Sequence, residues 1–567
     1  MRRGVTLFAP TAVALGLVLM AWTWWLAAGG GGWAFRLFNV RISSRDPFRS
    51  LVIGGALLAV GLSPLRLRAD SAATHQRCSM LAVALSIATL ILGVTYGSFV
   101  AGGADAYGYV SQAALWANKS PFTPAQLAVD GEWPDASWAL TPLGYRPALT
   151  SGWMVPVYPP GLPLVMAAMR ALFGEVGPYL ITPILGALVC WLTYVFGKKL
   201  YGQLEGVLSA AIMFATPVFQ LQLMAPMSDV PVTAEWLGSV ILALSPTPVS
   251  LLMSGLATTL AVMTRPNLVL LGVALAALVI RTVRVNSFPI TRALWWYVPA
   301  TVGPISIGLL NHVLYGSAIA SGYGTIDSLF SPKYASENIS EYSRWLVSTQ
   351  TVFPLIGLIA APWTVRADRS QRWNVWWSCC FVVIVLASYL WYLPLHDWTS
   401  LRFLLPAYPV MIALSAAALV RAIVRAGLPE GLCAAVGVLL VCFGLWQARP
   451  AFKVADFDDR YRAAANFARA LPSNAIVLAN LHSGSIRYYA GLVTARYEWI
   501  GSDEYIAALR WFQQHAYPVY AVLDETEVTE FRAKYSSIAD VSWLDRPVVV
   551  IGKYGVHVYR VLPPPAP

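Results

Sequence analysis

Charged residues are scarce in this chain, 12% of the total, so each one set beside aromatic residues is a candidate for chemistry. Asp105 stands in Gly102-Gly103-Ala104-Asp105-Ala106-Tyr107-Gly108-Tyr109. On a helix starting there, Asp105, Tyr109, Gln112 and Trp116 share one stripe. An acid among aromatics suits a general base acting on a sugar or lipid hydroxyl. The plainer reading makes Asp105 a helix cap. Asp229, in Met227-Ser228-Asp229-Val230-Pro231, is a second acid with the same capping alternative, and Pro231 falls in the first helical turn. Glu235 lies inside an apolar run, where a charge costs about 2.5–3.5 kcal/mol on insertion scales and needs a partner or a watery cavity. Arg265, in Thr264-Arg265-Pro266-Asn267, brings a guanidinium suited to gripping phosphate through paired hydrogen bonds. A snorkelling anchor or a salt bridge to Asp229 would use it equally.

Arg402 opens Arg402-Phe403-Leu404-Leu405-Pro406, just after His396-Asp397-Trp398. A local Asp397–Arg402 ion pair is the plain account there. Tyr158, in Tyr158-Pro159-Pro160-Gly161, and Tyr323, in Ser321-Gly322-Tyr323-Gly324, sit in proline- and glycine-rich stretches. Their rings suit stacking on sugars, and equally the aromatic belt at a membrane interface. Asn480 to Ser485 reads as a turn and cap, with anion binding at a helix N-terminus as the alternative.

These groups must be positioned by a membrane bundle. The chain has 567 residues, of which 57% are hydrophobic, and its charge density is half that of a soluble domain. Disorder is excluded by the same composition. The net charge of +11 sits mostly between apolar runs, as in topology-setting loops, and forms no nucleic-acid module. Six cysteines lie in or beside apolar runs without CxxC spacing, which argues against a disulfide framework or a cysteine-based metal site. Residues 1–32 are too long an apolar segment for a cleaved signal and read as a retained first span.

Apolar runs occur near 5–28, 51–65, 79–97, 178–196, 205–222, 230–245, 250–264, 267–281, 294–315, 345–363, 375–394, 402–421 and 430–447. About thirteen crossings are expected from these runs. Arg66, Arg68, Arg77, Lys198, Lys199, Arg281, Arg284, Arg366, Arg369, Arg372, Arg421 and Arg425 then fall on one side, the cytoplasmic one by the positive-inside rule. The N-terminus is inside and the C-terminal region outside. Arg36, Arg41, Arg45 and Arg49 disagree, and an interfacial basic helix would accommodate them. Three polar segments share the external side: 98–160, 316–344 and everything after about 448. From about 455 the pattern alternates helix (458–471), strand (475–479), helix (485–490), strand (494–500), helix (503–515), strand (518–523), helix (527–535) and strands (548–551, 556–561). That predicts a soluble α/β domain over 455–562 behind a polytopic, mostly α-helical domain over 1–450.

Taken in order, an early acid in GADAYGY, a YPPG stretch, a second acid in MSDVP, then TRPN, YGS…SGYG and RFLLP resemble the membrane glycosyltransferases of the GT-C class. They look closest to the branch holding protein mannosyltransferases and aminoarabinose transferases. The resemblance covers about 80–450 and implies an enzyme that moves a sugar, hexosyl or pentosyl, from a polyprenyl-phosphate carrier. The acceptor is a hydroxyl of a lipid, glycan or protein on the extracytoplasmic face, and the displacement is direct and inverting. By resemblance, Asp105 is the base and Asp229 orients the acceptor or holds the arginine. Arg265, then Arg402, take the donor phosphate, and Tyr109, Tyr158, Glu235, Tyr323 and His396 contact substrate. No cofactor is implied beyond the donor, no metal ligand is assigned although a divalent ion stays open, and the plasma (inner) membrane is the expected location. Asp105 is followed by Ala106, not by the second acid of several protein mannosyltransferases, so protein mannosylation is not implied. A flippase or transporter of lipid-linked sugar is the competing class, and a non-catalytic membrane scaffold is a third. Loss of Asp105 function with fold retained separates the enzyme from the scaffold.

Overall fold

The lengths of the apolar helices decide how many can cross a bilayer. A computed structural model describes residues 2–27, 34–37, 40–43, 46–65, 72–127, 131–364, 369–552 and 555–562. Among the described residues, five helical stretches are long and apolar enough to cross: Ala72–Tyr96, Gly161–Leu200, Ile290–Tyr315, Ser370–Leu390 and Trp398–Arg425. Counting two bent pairs as one span each raises the number to seven. That is fewer than the thirteen expected. Among the other apolar runs, Pro47–Leu62, Asp229–Ala243 and Pro248–Thr264 form helices of 16, 15 and 17 residues, short of the roughly 20 a span uses. Pro217 breaks another run, bending Gln203–Ala215 against Pro217–Leu223 by 61°, because its ring cannot continue the preceding helix.

The Gly161–Leu200 stretch is not one rod. A Cβ at Gly177 would lie 2.1 Å from the Met169 carbonyl oxygen, so only glycine lets the chain double back there. Helices Gly161–Phe173 and Gly177–Leu200 form a hairpin, and its tip exposes Leu172, Phe173 and Val176. Near the N-terminus, Ala34–Leu37 pairs antiparallel with Val40–Ser43. This ribbon replaces the interfacial helix envisaged for Arg36 and Arg41; Phe35, Val40 and Ile42 suit an extended strand better. Arg49 opens toward Asp46 at 3.5 Å, and Arg45, Arg66, Arg68 and Arg366 lie outside the described residues.

The loop after Tyr96 carries the Asp105–Ala117 helix and a small sheet. In that sheet Trp153–Pro156 pairs with Thr123–Pro124 and Tyr145–Pro147. After Arg449 a second layer forms. Val493–Ala495, Ile476–Leu478 and Val519–Leu523 run parallel, and Val556–Arg560 joins antiparallel between Val519–Leu523 and Val549–Ile551. Helices Val454–Ala468, Ser483–Ala490, Tyr505–Gln514 and Glu525–Tyr535 accompany this sheet. Ile476, Val477 and Leu478 are all buried, as a parallel strand covered on both faces requires. The strand expected over 494–500 stops at Ala495, because the Arg496 N–H donates to the Ala139 carbonyl at 2.6 Å instead of to the sheet.

That last bond is one of many between this layer and the first loop. Trp133 meets Trp511 and Phe512 edge-on at 5.7 and 5.4 Å, and Trp138 stacks on Trp499 at 4.7 Å. Trp133, Ala136, Ala139 and Leu140 belong to the same hydrophobic core as the sheet. Each such aromatic pair adds about 0.5–1.5 kcal/mol beyond the area it buries, so the loop that bears Asp105 is held by residues near the other end of the chain.

Candidate active site

Asp105 is the first residue of its helix and not its N-cap, which is Ala104. Its Oδ1 accepts from the Tyr158 hydroxyl at 2.7 Å, and Oδ2 lies 3.1 Å from Nη1 of Arg402. The local Asp397–Arg402 pair is therefore absent. Asp397 accepts from the Thr399 N–H at 2.7 Å and starts the Trp398–Ala407 3₁₀ helix. Five residues on, at three residues per turn, Arg402 leaves from a different face of that helix. Tyr158 is 4% exposed, which removes it from a lipid-facing aromatic belt. Its ring crowds the Asp105 helix so closely that a Cβ at Gly108 would sit 2.0 Å from it; the glycine in the motif makes room for the tyrosine.

A second ion pair lies beside the first. Asp229 opens the Asp229–Ala243 helix after the N-cap Ser228, and its Oδ1 meets Nη2 of Arg265 at 2.5 Å. Arg265 ends the Pro248–Thr264 helix, where Pro266 prevents continuation. Its Nε donates to Ser228 Oγ at 3.3 Å and its Nη1 to the Tyr389 hydroxyl at 3.1 Å. Of the sequence alternatives for Arg265, the salt bridge to Asp229 is the one present. The arginine is largely buried rather than displayed at a tip.

Aromatic side chains join the two pairs. Tyr109 donates to Ser228 Oγ at 2.9 Å and packs on Tyr158 at 4.6 Å. Both guanidiniums lie over Phe403, with Cζ 5.3 Å (Arg265) and 5.1 Å (Arg402) from the ring centroid. Tyr389 stacks on Phe403 at 5.1 Å, and Tyr323 meets Tyr158 edge-on at 5.8 Å. Asp105, Asp229, Arg265, Arg402, Tyr109, Tyr158 and Tyr323 thus come together. Exposure grades across the site: the Asp105 and Arg402 side chains are 30% and 22% exposed, those of Asp229 and Arg265 0% and 11%. Solvent reaches the first carboxylate and not the second. The inner pair is a fixed charge array beneath it, in a setting where such arrays act most strongly.

Two candidates stand off from this cluster. Glu235 is buried and accepts from Thr264 Oγ1 at 3.2 Å, while its other oxygen has no partner; it backs the residue before Arg265. His396 is exposed, with Nδ1 3.3 Å from Glu341 and 3.6 Å from Glu337. Among the described residues, His396, Glu337 and Glu341 are the carboxylate and imidazole group spaced for a metal ion, their ligand atoms all within 4.8 Å of one another. Asp105 and Asp229 are not part of it. Sequence reasoning missed Tyr389 and Phe403. The one available signal for Tyr389 was a hydroxyl near the end of an apolar run, where it needs a partner.

No family model and no curated protein sequence matches the chain. Solved structures do match. Archaeal oligosaccharyltransferase AglB from Archaeoglobus fulgidus, in complex with an inhibitory peptide and a dolichol-phosphate, superimposes with a TM-score of 0.51 at 12% identity, over 81% of this chain and 70% of that one. The chain has the GT-C fold. ArnT from Cupriavidus metallidurans bound to undecaprenyl phosphate gives a TM-score of 0.49 at 12% identity, covering 85% of this chain and 97% of that one. Arabinofuranosyltransferase AftD from mycobacteria gives 0.45 at 12% identity, covering 88% and 42%. Within the GT-C fold, the cluster built on Asp105 and Asp229 joins the first large loop to the helices that follow it.

Proposed function

We propose that the chain is a membrane glycosyltransferase that moves a sugar from a polyprenyl-phosphate carrier to an acceptor hydroxyl on the extracytoplasmic face, with inversion. The observation that carries this reading is the graded double ion pair, Asp105–Arg402 at the mouth and Asp229–Arg265 beneath it. The acceptor O–H gives its proton to Asp105 as its oxygen bonds the anomeric carbon. The bond from that carbon to the phosphate oxygen breaks, and its electron pair leaves with the lipid phosphate. Arg402 and Arg265 meet the charge that grows there, and Arg402 shifts from Asp105 toward the phosphate. Tyr158 keeps the carboxylate oriented. Tyr109 and Ser228 hold Arg265 in register, and the exposed face of Tyr323 is offered to a sugar ring. The GT-C fold and the dolichol-phosphate named with AglB support the donor class.

The test is transfer from a radiolabelled polyprenyl-phosphate sugar by purified protein in liposomes. Asp105→Asn keeps the shape but loses the charge that pairs with Arg402 and cannot take a proton. Transfer falls by about 10²–10⁴-fold, the usual worth of a general base, while carrier binding is retained. Transfer at the wild-type rate removes Asp105 as base. Labelled lipid that crosses the bilayer with no transfer from any carrier moves the assignment to a flippase.

A further inference from the structure

A cavity of about 640 Å³ opens where the tip of the helical hairpin meets the C-terminal layer. Arg170 and Glu175 line it from the tip, and Tyr179 from the start of the second hairpin helix. Arg462 and the pair Tyr488 and Tyr489 come from the C-terminal layer. The cavity is separate from the Asp105 cluster. Tyr107, on the opposite face of the Asp105 helix, packs against Tyr488 at 6.4 Å and forms the partition.

Its polar groups have capacity to spare. Arg170 donates to the Tyr488 hydroxyl and to Glu175, and Arg462 to the Phe99 carbonyl. A guanidinium has five N–H donors, so both arginines keep donors for another acceptor. Glu175 is 72% exposed and free to swing away. The surroundings are apolar: Leu172 is 73% exposed, Phe173 58% and Val176 50%. Large apolar side chains left uncovered at one end of a bilayer-crossing helix face lipid, which sets the two guanidiniums at headgroup depth.

We propose that this cavity binds a lipid phosphate, seated on Arg170 and Arg462, with its hydrocarbon lying along Leu172, Phe173 and Val176. The planar fork of arginine matches phosphate oxygens, and the aromatic walls can pack against a polar headgroup. This rests on the membrane reading and not on glycosyl transfer. Two sources share the chemistry, a bilayer phospholipid and a polyprenyl phosphate. The experiment titrates phosphatidylglycerol and, separately, undecaprenyl phosphate into the full-length protein in maltoside micelles. Bound lipid is counted by native mass spectrometry for wild type, Arg170→Ala/Arg462→Ala, the Lys/Lys double variant and Asp105→Asn. Wild type and Asp105→Asn alike hold one lipid whose affinity falls about tenfold or more in the Ala/Ala variant, with Lys/Lys intermediate; the lipid that shows this identifies the source, and a carrier held at Arg265 and Arg402 is told apart because Ala/Ala keeps it. Equal retention of both lipids by wild type and Ala/Ala overturns the proposal. So does full competition by inorganic phosphate without preference for either lipid. An unchanged unfolding midpoint in Lys/Lys excludes misfolding as the cause of a loss.

Discussion

Replacing Arg265 by methionine separates the structural role of the inner ion pair from its chemical one. Asp229 has no exposed side-chain surface and meets Arg265 at 2.5 Å. Its second oxygen, Oδ2, has no partner. Without the guanidinium a buried carboxylate is left uncompensated, which costs about 3–5 kcal/mol. Adding Asp229→Leu removes the stranded charge and, as replaced buried pairs generally behave, returns most of that loss. The coupling between the two sites in a double-mutant cycle is then about 2 kcal/mol or more. The assay is the unfolding midpoint of the purified full chain in one detergent, read beside sugar transfer. Arg265→Met unfolds well below wild type and the double variant close to wild type, yet both transfer poorly, because Arg402 alone is left to meet the charge on the leaving phosphate. An Arg265→Met midpoint equal to wild type refutes the buried-charge argument. Transfer restored in the stable double variant refutes the phosphate role while leaving the structural one intact.

Other changes test other parts of the frame. A Cβ at Gly102 would fall 2.2 Å from the ring of Tyr461, so Gly102→Ala pushes the loop before Asp105 and lowers transfer by about tenfold or more, at the roughly 1–3 kcal/mol of an overpacked site. Pairing it with Tyr461→Ala restores part of the rate, and a wild-type rate in Gly102→Ala alone shows that Tyr461 does not hold the loop. In the C-terminal layer, burial raises the Asp524 carboxyl, but His482 and Arg460, at 2.8 and 3.3 Å, outweigh it and hold the group below the usual carboxylate range. A carboxylate so depressed lends stability that is whole above its unfolded value of about 3.9 and is lost as pH falls through the folded value. Asp524→Asn therefore lowers the unfolding midpoint at neutral pH and flattens its decline in acid, and an unaltered acid profile contradicts the pairing.

Asp105, Asp229 and Arg265 were legible because a charge in so apolar a chain is rare and needs a reason. The partner of Arg402 was not. Asp397 is near in sequence and Asp105 far, and only the turn of a 3₁₀ helix decides between them. The thirteen crossings are not reached among the described residues for a related reason. An apolar run reveals its length but not the bend at Pro217 or the reversal that Gly177 permits. The strands and helices after 454 could be read nearly in place, since turn residues such as Gly491 and Pro518 punctuate them and β-branched runs lie between. Trp133 and Trp138, by contrast, lie in a loop without periodicity, so nothing local marks them as contacts of the C-terminal layer. The cluster spaced for a metal was hidden likewise, with Glu337 and Glu341 on one helix and His396 on a later loop.

The contacts that brace the Asp105 loop join residues far apart in translation order. Ala101 N–H donates to the Tyr489 hydroxyl across 388 residues of chain, and Leu143 N–H to Ser483 Oγ across 340. A chain emerging from the ribosome inserts its early helices and exposes its first loop long before those partners exist. The loop waits with Trp133 and Trp138 uncovered, and the ordering entropy of its closure falls due only at the last step. A product truncated before the sheet of 476–560 would then reside in the bilayer with its early helices assembled but Asp105 unplaced.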